Sequence, residues 1–369
     1  MRILVTGDHA GGVGVHARTL AVELAQRGHC VALAEIGTGP PGDNPPLSAG
    51  VAYLHLPYAL EWRSELPVKH LEEAAQACAA ALNDTALNFR PDLLHSNHFS
   101  LAGCLPGIPT LLGVHSDVVS WWRAVHRCMP PATPFHSWYR RQVQRALLHA
   151  HAIVVPSLSA SRDLAASYGF AGSTTVIPNG TVDPGTIGTS ARAPYAVCLG
   201  RLWDAGKQIQ LLLRTDLGMR LVLAGDAGDA LPGLPAGVAW RGQLGGVAAA
   251  RLLARAAVYI APSRYEPFGL APLEAAAHGC ALLLNDIASF REIWGGDACY
   301  FMRDNGDDLA RQLRSLAAQP ERRRQLARAA QARARRRYGA AVMAARYAVQ
   351  YAELVRRARP PLSASSYGA

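Results

Sequence analysis

The sequence predicts an α/β protein made of two doubly wound, Rossmann-like domains, and three observations carry that expectation. Short apolar runs alternate with helical patterns through the first half, a Pro/Gly/Ser/Thr-rich stretch over 184–194 interrupts them, and a second alternation of the same kind follows. The length agrees, since 369 residues suit two domains better than one. Half of the chain is apolar and 17% is charged, enough to bury a large core and to exclude global disorder.

In chain order, the first rhythm places strands at 3–6, 31–35, 92–95, 110–115, 152–156 and 175–178, with a helix near 14–28. The second places strands at 196–199, 220–224, 238–240, 258–261 and 281–284. Domains at 1–184 and 185–338 follow, and ligands of such sheets bind outside the C-terminal strand ends, in a cleft. The tail over 363–369 reads as frayed. The opening residues pass from a short apolar run into polar, glycine-rich sequence, which reads as a first strand rather than a signal peptide. No apolar run approaches the roughly 18–20 residues that a membrane-spanning helix needs. Seven scattered cysteines without a Cys-x-x-Cys pair argue against a disulfide framework or zinc knuckle and for a reducing, cytoplasmic setting.

The net charge of +10 does not by itself mean nucleic acid. Eight arginines crowd 322–337, a pattern that fits a solvated helix face or peripheral contact with an anionic membrane, at the inner face of a cell membrane, and no nucleic-acid module accompanies them. The segment 121–141 mixes aromatic and cationic side chains, suited either to a sugar, lipid or phosphate surface or to packed helices with arginines outward.

Candidate site residues cluster at strand ends. Gly12, in Gly11-Gly12-Val13-Gly14, lies between the first strand and the first helix, where the backbone can approach an anion. Gly12-x-Gly14-x-x-Ala17, with Glu35 ending the second strand, also matches a dinucleotide fingerprint, so an NAD(P)-dependent oxidoreductase is a rival. Against that rival, the residues from Gly7 to Gly11 intervene where a Rossmann turn is tight. His115 ends an apolar run and reads as a cleft residue or as an ordinary strand-end histidine bonded to a loop, and Asn97 and His98, at the end of the preceding strand, are lesser candidates for the same cleft.

The most informative stretch is 262–274. Pro267 and Gly269 keep Glu266 in a loop, Pro272 suits the first turn of a helix, and the amides of Phe268, Gly269 and Leu270 are expected at a positive helix end. Glu274 is expected in the first turn, where it either complements the helix dipole or accepts from a vicinal diol such as ribose. Micromolar binding needs about 8 kcal/mol, so a diphosphate requires fixed cations besides. Gly200-Arg201 and Lys207, one of only two lysines, supply them at a strand end.

With Gly11-Gly12, Ser157, Pro178-Asn179-Gly180-x-x-Asp183, Gly200-Arg201, Lys207 and Glu266-x7-Glu274 in order along nearly the whole chain, the sequence resembles the retaining, nucleotide-sugar-dependent glycosyltransferases of family 4, which have the GT-B fold. The resemblance implies a UDP- or GDP-sugar donor in the second domain and an acceptor glycan, glycolipid or small molecule in the first. It implies that Arg201 and Lys207 neutralise the diphosphate, that Glu274 holds ribose, and that Glu266 with the amides of 268–270 meets donor sugar and phosphate. It further implies that His115 contacts the sugar, that Gly12 lies near the phosphate, and that a final helix within 339–369 crosses back to the first domain. Asn179 belongs to the same motif set. Two departures stand out: Gln208 replaces a glycine after the lysine, and Thr181-Val182 lengthens the Asn-Gly turn. No Asp-x-Asp motif occurs, and two cations with helix-end amides can stabilise a leaving diphosphate without metal or cofactor. An anion- or membrane-binding protein that keeps the fold without turnover is the second rival.

Overall fold

The computed structural model describes residues 1–38, 47, 50–185, 192–231 and 233–358. Much of the expected linker and the tail over 363–369 therefore lie outside the described residues. The first sheet is built from β1 (Arg2–Asp8), β2 (Cys30–Ile36), β3 (Val51–Leu56), β4 (Leu93–Ser96), β5 (Thr110–Gly113), β6 (Ala152–Val155) and β7 (Thr175–Val176). Its helices are α1 (Gly11–Gln26), α2 (Val68–Phe89), α3 (Val118–His126), α4 (Pro134–His149) and α5 (Leu158–Tyr168). The second sheet holds β8 (Ala193–Leu199), β9 (Arg220–Ala224), β10 (Val238–Trp240), β11 (Ala256–Ala261), β12 (Ala281–Asn285) and β13 (Cys299–Phe301). Around it lie α6 (Ile209–Leu213), α7 (Gly246–Arg255), α8 (Leu270–Ala277), α9 (Ala288–Trp294), α10 (Gly306–Ala318) and α11 (Pro320–Tyr338), before α12 (Ala340–Ala358) ends the described chain.

Every pairing between these strands is parallel. The orders β3-β2-β1-β4-β5-β6-β7 and β10-β9-β8-β11-β12-β13 both reverse direction beside the first strand of their sheet. Each sheet thus opens a crevice at that switch point, between β1 and β4 and between β8 and β11. Strands covered on both faces read as continuous apolar runs, which is why the sequence shows them clearly. β3 and β13 were not legible: Tyr53 and His55 give β3 a half-polar edge pattern, and β13 has three residues. β8 begins before the expected position, so Pro194 lies inside it, where the register with β11 shifts and a missing amide is tolerated.

Local signals set the helix starts near the cleft. Asp117, Thr133 and Ser157 accept from the backbone amides of Ser120, His136 and Ala160 and cap α3, α4 and α5. The segment 121–141 becomes two packed helices, with Phe135, Trp138 and Tyr139 buried and Arg140 and Arg141 exposed. The arginines of 322–337 lie on α11, where Arg328, Arg336 and Arg337 face solvent and Arg333 turns inward to Ile293 and Asp297. All seven cysteines are free thiols. Among the described residues, no helix is long and apolar enough to cross a membrane.

α12 carries Met343, Ala344, Tyr347, Tyr351 and Leu354 at helical spacing and buries them in one cluster with Ile3 and Leu93 of the first sheet and Leu20 and Leu24 of α1. The Tyr351 hydroxyl meets His95 Nδ1 at 2.6 Å. The chain therefore leaves the second sheet and completes the core of the first. Tyr351→Ala should cost about 3–5 kcal/mol in urea unfolding by emptying that core, whereas Tyr351→Phe should cost about 1 kcal/mol by losing one hydrogen bond.

Candidate active site

The two switch points face each other. The loop after β8 presents Arg201 and, at the end of a short turn over Ala205–Lys207, Lys207. Lys207 Nζ forms an ion pair with Glu266, whose Oε2 also lies 3.4 Å from Ser263 Oγ in the loop after β11. Arg201 Nη2 lies 3.2 Å from Asp204 Oδ2, and its guanidinium sits 5.5 Å from the Trp203 ring and 5.8 Å from the Trp62 ring of the first domain. Each cation is thus held by a carboxylate, and Arg201 keeps about half of its side chain in solvent. Gln208 takes the left-handed conformation natural to the glycine it replaces, with φ 54°, so the substitution leaves the loop its turn at a cost of about 1–2 kcal/mol.

Gly269 precedes α8 with φ 94°, and a Cβ there would lie 3.1 Å from both Glu266 Cγ and Phe290 Cε1. A side chain would be strained twice over at this position. No side chain caps α8, so its first amides remain available to an anion. Phe268 contributes backbone only, since its ring is buried against Tyr338. Leu270 faces Gly12, whose Cβ position lies 3.5 Å from Leu270 Cδ1. The uncapped start of α1 therefore meets the start of α8 across the cleft.

Glu274 departs from expectation. α8 begins at Leu270, so Glu274 is its fifth residue and Pro272 its third, and no acidic residue stands in the first turn. Dipole complementarity is thereby weakened as an explanation. Among the described residues, no hydrogen bond or ion pair reaches its carboxylate, and burial alone pushes its pKa up to about 7. A half-buried acid without a partner suits a ligand that brings its own donors.

His115 lies two residues beyond β5 rather than on it. Asn97 donates its amide to the Thr6 carbonyl at 2.6 Å, which turns its Oδ1 to His115 Nε2 at 2.9 Å and makes that nitrogen the donor. Burial holds His115 near a pKa of about 4, so it is neutral, and its Nδ1 is buried without a partner. Beneath it lies His16, 4.2 Å away between ring centroids, also driven neutral by burial. His98 behaves differently: burial opposes its charge, but the hydrogen bond and charge of Asp8, 3.0 Å away, raise its pKa. Asn179 presents a buried Oδ1 with no hydrogen-bond partner among the described residues. It is buried beside Gly180, which packs under the start of α12.

β1 runs to Asp8 and α1 starts at Gly11, so the first turn is tight after all. What opposes a dinucleotide is Glu35, fully buried, paired with Arg18 and accepting from the Tyr53 hydroxyl at 3.1 Å. It has no face left for a ribose. Among the described residues, no group of three or more His, Cys, Asp or Glu is placed to hold a metal ion. Sequence reasoning missed Asp204, Ser263, Trp62 and Trp121. Asp204, three residues after Arg201, and Ser263, three before Glu266, could have been found as local partners; Trp62, and Trp121 from the aromatic and cationic segment 121–141, reach the site only through the tertiary fold.

Comparison with known proteins bears on the same architecture. The family described as Glycosyltransferase Family 4 matches residues 10–183, and the one described as Glycosyl transferases group 1 matches residues 193–319. No curated protein matches the chain in sequence. Sucrose-phosphate synthase from Thermosynechococcus elongatus is similar in structure with a TM-score of 0.77 and 19% identity, over 96% of this chain and 99% of that one. HepE from Anabaena, in complex with UDP and glucose, gives 0.69 and 17% over 95% and 99%. WaaG, a glycosyltransferase involved in lipopolysaccharide biosynthesis, gives 0.70 and 14% over 94% and 99%. At such identities the structural likeness is one of fold, that of two Rossmann-like domains in the GT-B arrangement. The two family matches, which between them run from residue 10 to 319, show that this chain belongs to the glycosyltransferases, with a family 4 first half and a group 1 second half.

Proposed function

We propose that the protein is a retaining glycosyltransferase that moves a sugar from a UDP- or GDP-linked donor, held by the second domain, to an acceptor hydroxyl presented by the first. The observation that carries this reading is the convergence of Arg201, Lys207 and the uncapped starts of α1 and α8 on one cleft. A departing nucleoside diphosphate develops negative charge there, and preorganised donors stabilise it most because they need no rearrangement as the bond breaks. Lys207 would exchange part of its pairing with Glu266 for phosphate oxygen. Glu266, freed in part, would meet the donor sugar together with the amides of Gly269 and Leu270. The His115–Asn97 pair would border the sugar from the first domain as a neutral hydrogen-bonding group, since an imidazole of pKa about 4 is no proton donor at pH 7.

In the proposed reaction the bond from the anomeric carbon to the diphosphate breaks and the acceptor oxygen bonds to that carbon from the same face. The acceptor proton passes to the leaving phosphate oxygen. The cations belong to side chains, so this step calls for no metal. HepE, with UDP and glucose in its complex, supports a nucleotide-sugar donor by likeness of fold.

Arg201→Ala and Lys207→Ala should each leave the melting temperature near that of the parent and cut donor turnover by roughly 10² or more, since removing one preorganised contact costs about 2.7–4 kcal/mol. Near-parental turnover in both variants would refute the clamp.

Glu274 gives a prediction with a pH signature. Its acid form is favoured in the unliganded fold up to about pH 7, while accepting ribose hydroxyls favours the carboxylate. Nucleotide binding should therefore release a proton, and affinity for UDP or GDP in calorimetry should rise from pH 5.5 to 7 and level off above. Glu274→Gln should abolish that rise and weaken binding roughly 10- to 150-fold at pH 8, the worth of a bond to a charged group. The stability effect has the opposite sign. A carboxyl whose folded pKa is raised from 4.5 to about 7 loses its contribution as pH climbs through that range. The glutamine variant should thus melt with the parent at pH 5 and above it at pH 8.

A further inference from the structure

The clamp loop of the second domain is held from the first. Trp121, in the first turn of α3, donates its indole N–H to Asp204 Oδ1 at 2.9 Å. The same carboxylate accepts from Gly206 N at 2.8 Å through that oxygen and holds Arg201 through Oδ2. Asp204 is buried, so the orientation of its two oxygens is set by these partners rather than by water. The loop is shaped to admit the indole: a Cβ on Gly206 would lie 2.6 Å from Trp121 Nε1. The far end of α3 is tied to the same region, because Arg127 and Arg264 both pair with Asp304 and Arg303 donates to the Ala124 carbonyl at 3.1 Å. Arg201 itself is half exposed and lies near two aromatic faces, so its side chain has other places to go.

We infer that Trp121 is a positioning residue for diphosphate binding: its indole N–H orients Asp204, Asp204 orients Arg201, and the clamp is complete only when α3 of the first domain lies against it. This rests on the reading of Arg201 and Lys207 as a diphosphate clamp. It adds that a residue of the acceptor-side domain sets the affinity of the donor side, without touching the donor.

Inorganic pyrophosphate tests this without a known base or sugar. Calorimetry would compare the parent, Trp121→Phe, Arg201→Ala and the double variant. Phenylalanine keeps a six-membered ring in the packing and removes the donor with the pyrrole part of the indole, so the melting temperature should fall only slightly while pyrophosphate binds roughly tenfold more weakly, the scale of one bond to a charged group. In the Arg201→Ala background the Trp121 change should have no further effect, because contacts acting through one another are not additive. Asp204→Asn keeps the acceptor for Trp121 but removes the charge that holds Arg201, so it should reproduce the loss, and parental affinity there would overturn the inference even if the phenylalanine variant melts early. Parental affinity in Trp121→Phe, or an equal loss with and without Arg201, would overturn the inference and leave the clamp standing. A parent that binds no pyrophosphate would overturn the clamp, and this inference with it.

Discussion

A diphosphate taken out of water must find positive charge already in place, and on the proposed reading of the cleft that constraint orders the rest of this molecule. Arginine and lysine side chains are long and mobile, so cations that wait for a ligand need anchors. Asp204 and Glu266 provide them for Arg201 and Lys207. The anchors hold the cations without burying them fully, which leaves each able to exchange a carboxylate for a phosphate. Both loops that carry the pairs leave the C-terminal ends of β8 and β11, the strands that flank the switch point of the second sheet.

The first domain is the other wall, and its interior is built to stay neutral near the cleft. His16, His95 and His115 lie close together, and burial keeps all three uncharged, with His95 at about 3 and His115 at about 4. The one histidine there with a raised pKa, His98, has Asp8 to balance it. α12 closes this layer from below through Tyr347 and Tyr351, so a helix that follows the second domain in sequence supports the histidines of the first. The walls are joined elsewhere as well: Ser157 donates to the Pro267 carbonyl, and Glu292 accepts from the first amides of α5.

Much of this was legible in the sequence because parallel strands buried on both faces spell themselves as apolar runs, and because loops at their ends carry residues that no core needs. Arg201, Lys207, Glu266 and Gly269 stood out for that reason, and the structure brings all four to one cleft. The failures have physical causes too. β3 was hidden by its polar edge. Pro272 does fall in the first turn of α8, but the helix begins at Leu270, so Glu274 lies just beyond that turn. The glycine loop was judged too long because nothing local shows that β1 persists to Asp8. Glu35 looked free for a ribose until its partner Arg18, on the adjacent helix, could be seen. Asn179 matched a motif, and its Oδ1 lies buried without a partner, next to Gly180, which packs under α12. The link from Trp121 to Asp204, 83 residues apart, has no trace in either local pattern.

The central claim, that this cleft breaks the bond between a sugar and a nucleoside diphosphate using its own cations, is tested most directly by offering the protein a panel of UDP- and GDP-sugars in EDTA, with acceptors of known structure. The account predicts release of UDP or GDP from one class of donor and a transferred sugar whose anomeric configuration by NMR is that of the donor. Inverted configuration in the product would contradict the retaining mechanism, and transfer abolished by EDTA and restored by Mg²⁺ or Mn²⁺ would contradict the role given to Arg201 and Lys207.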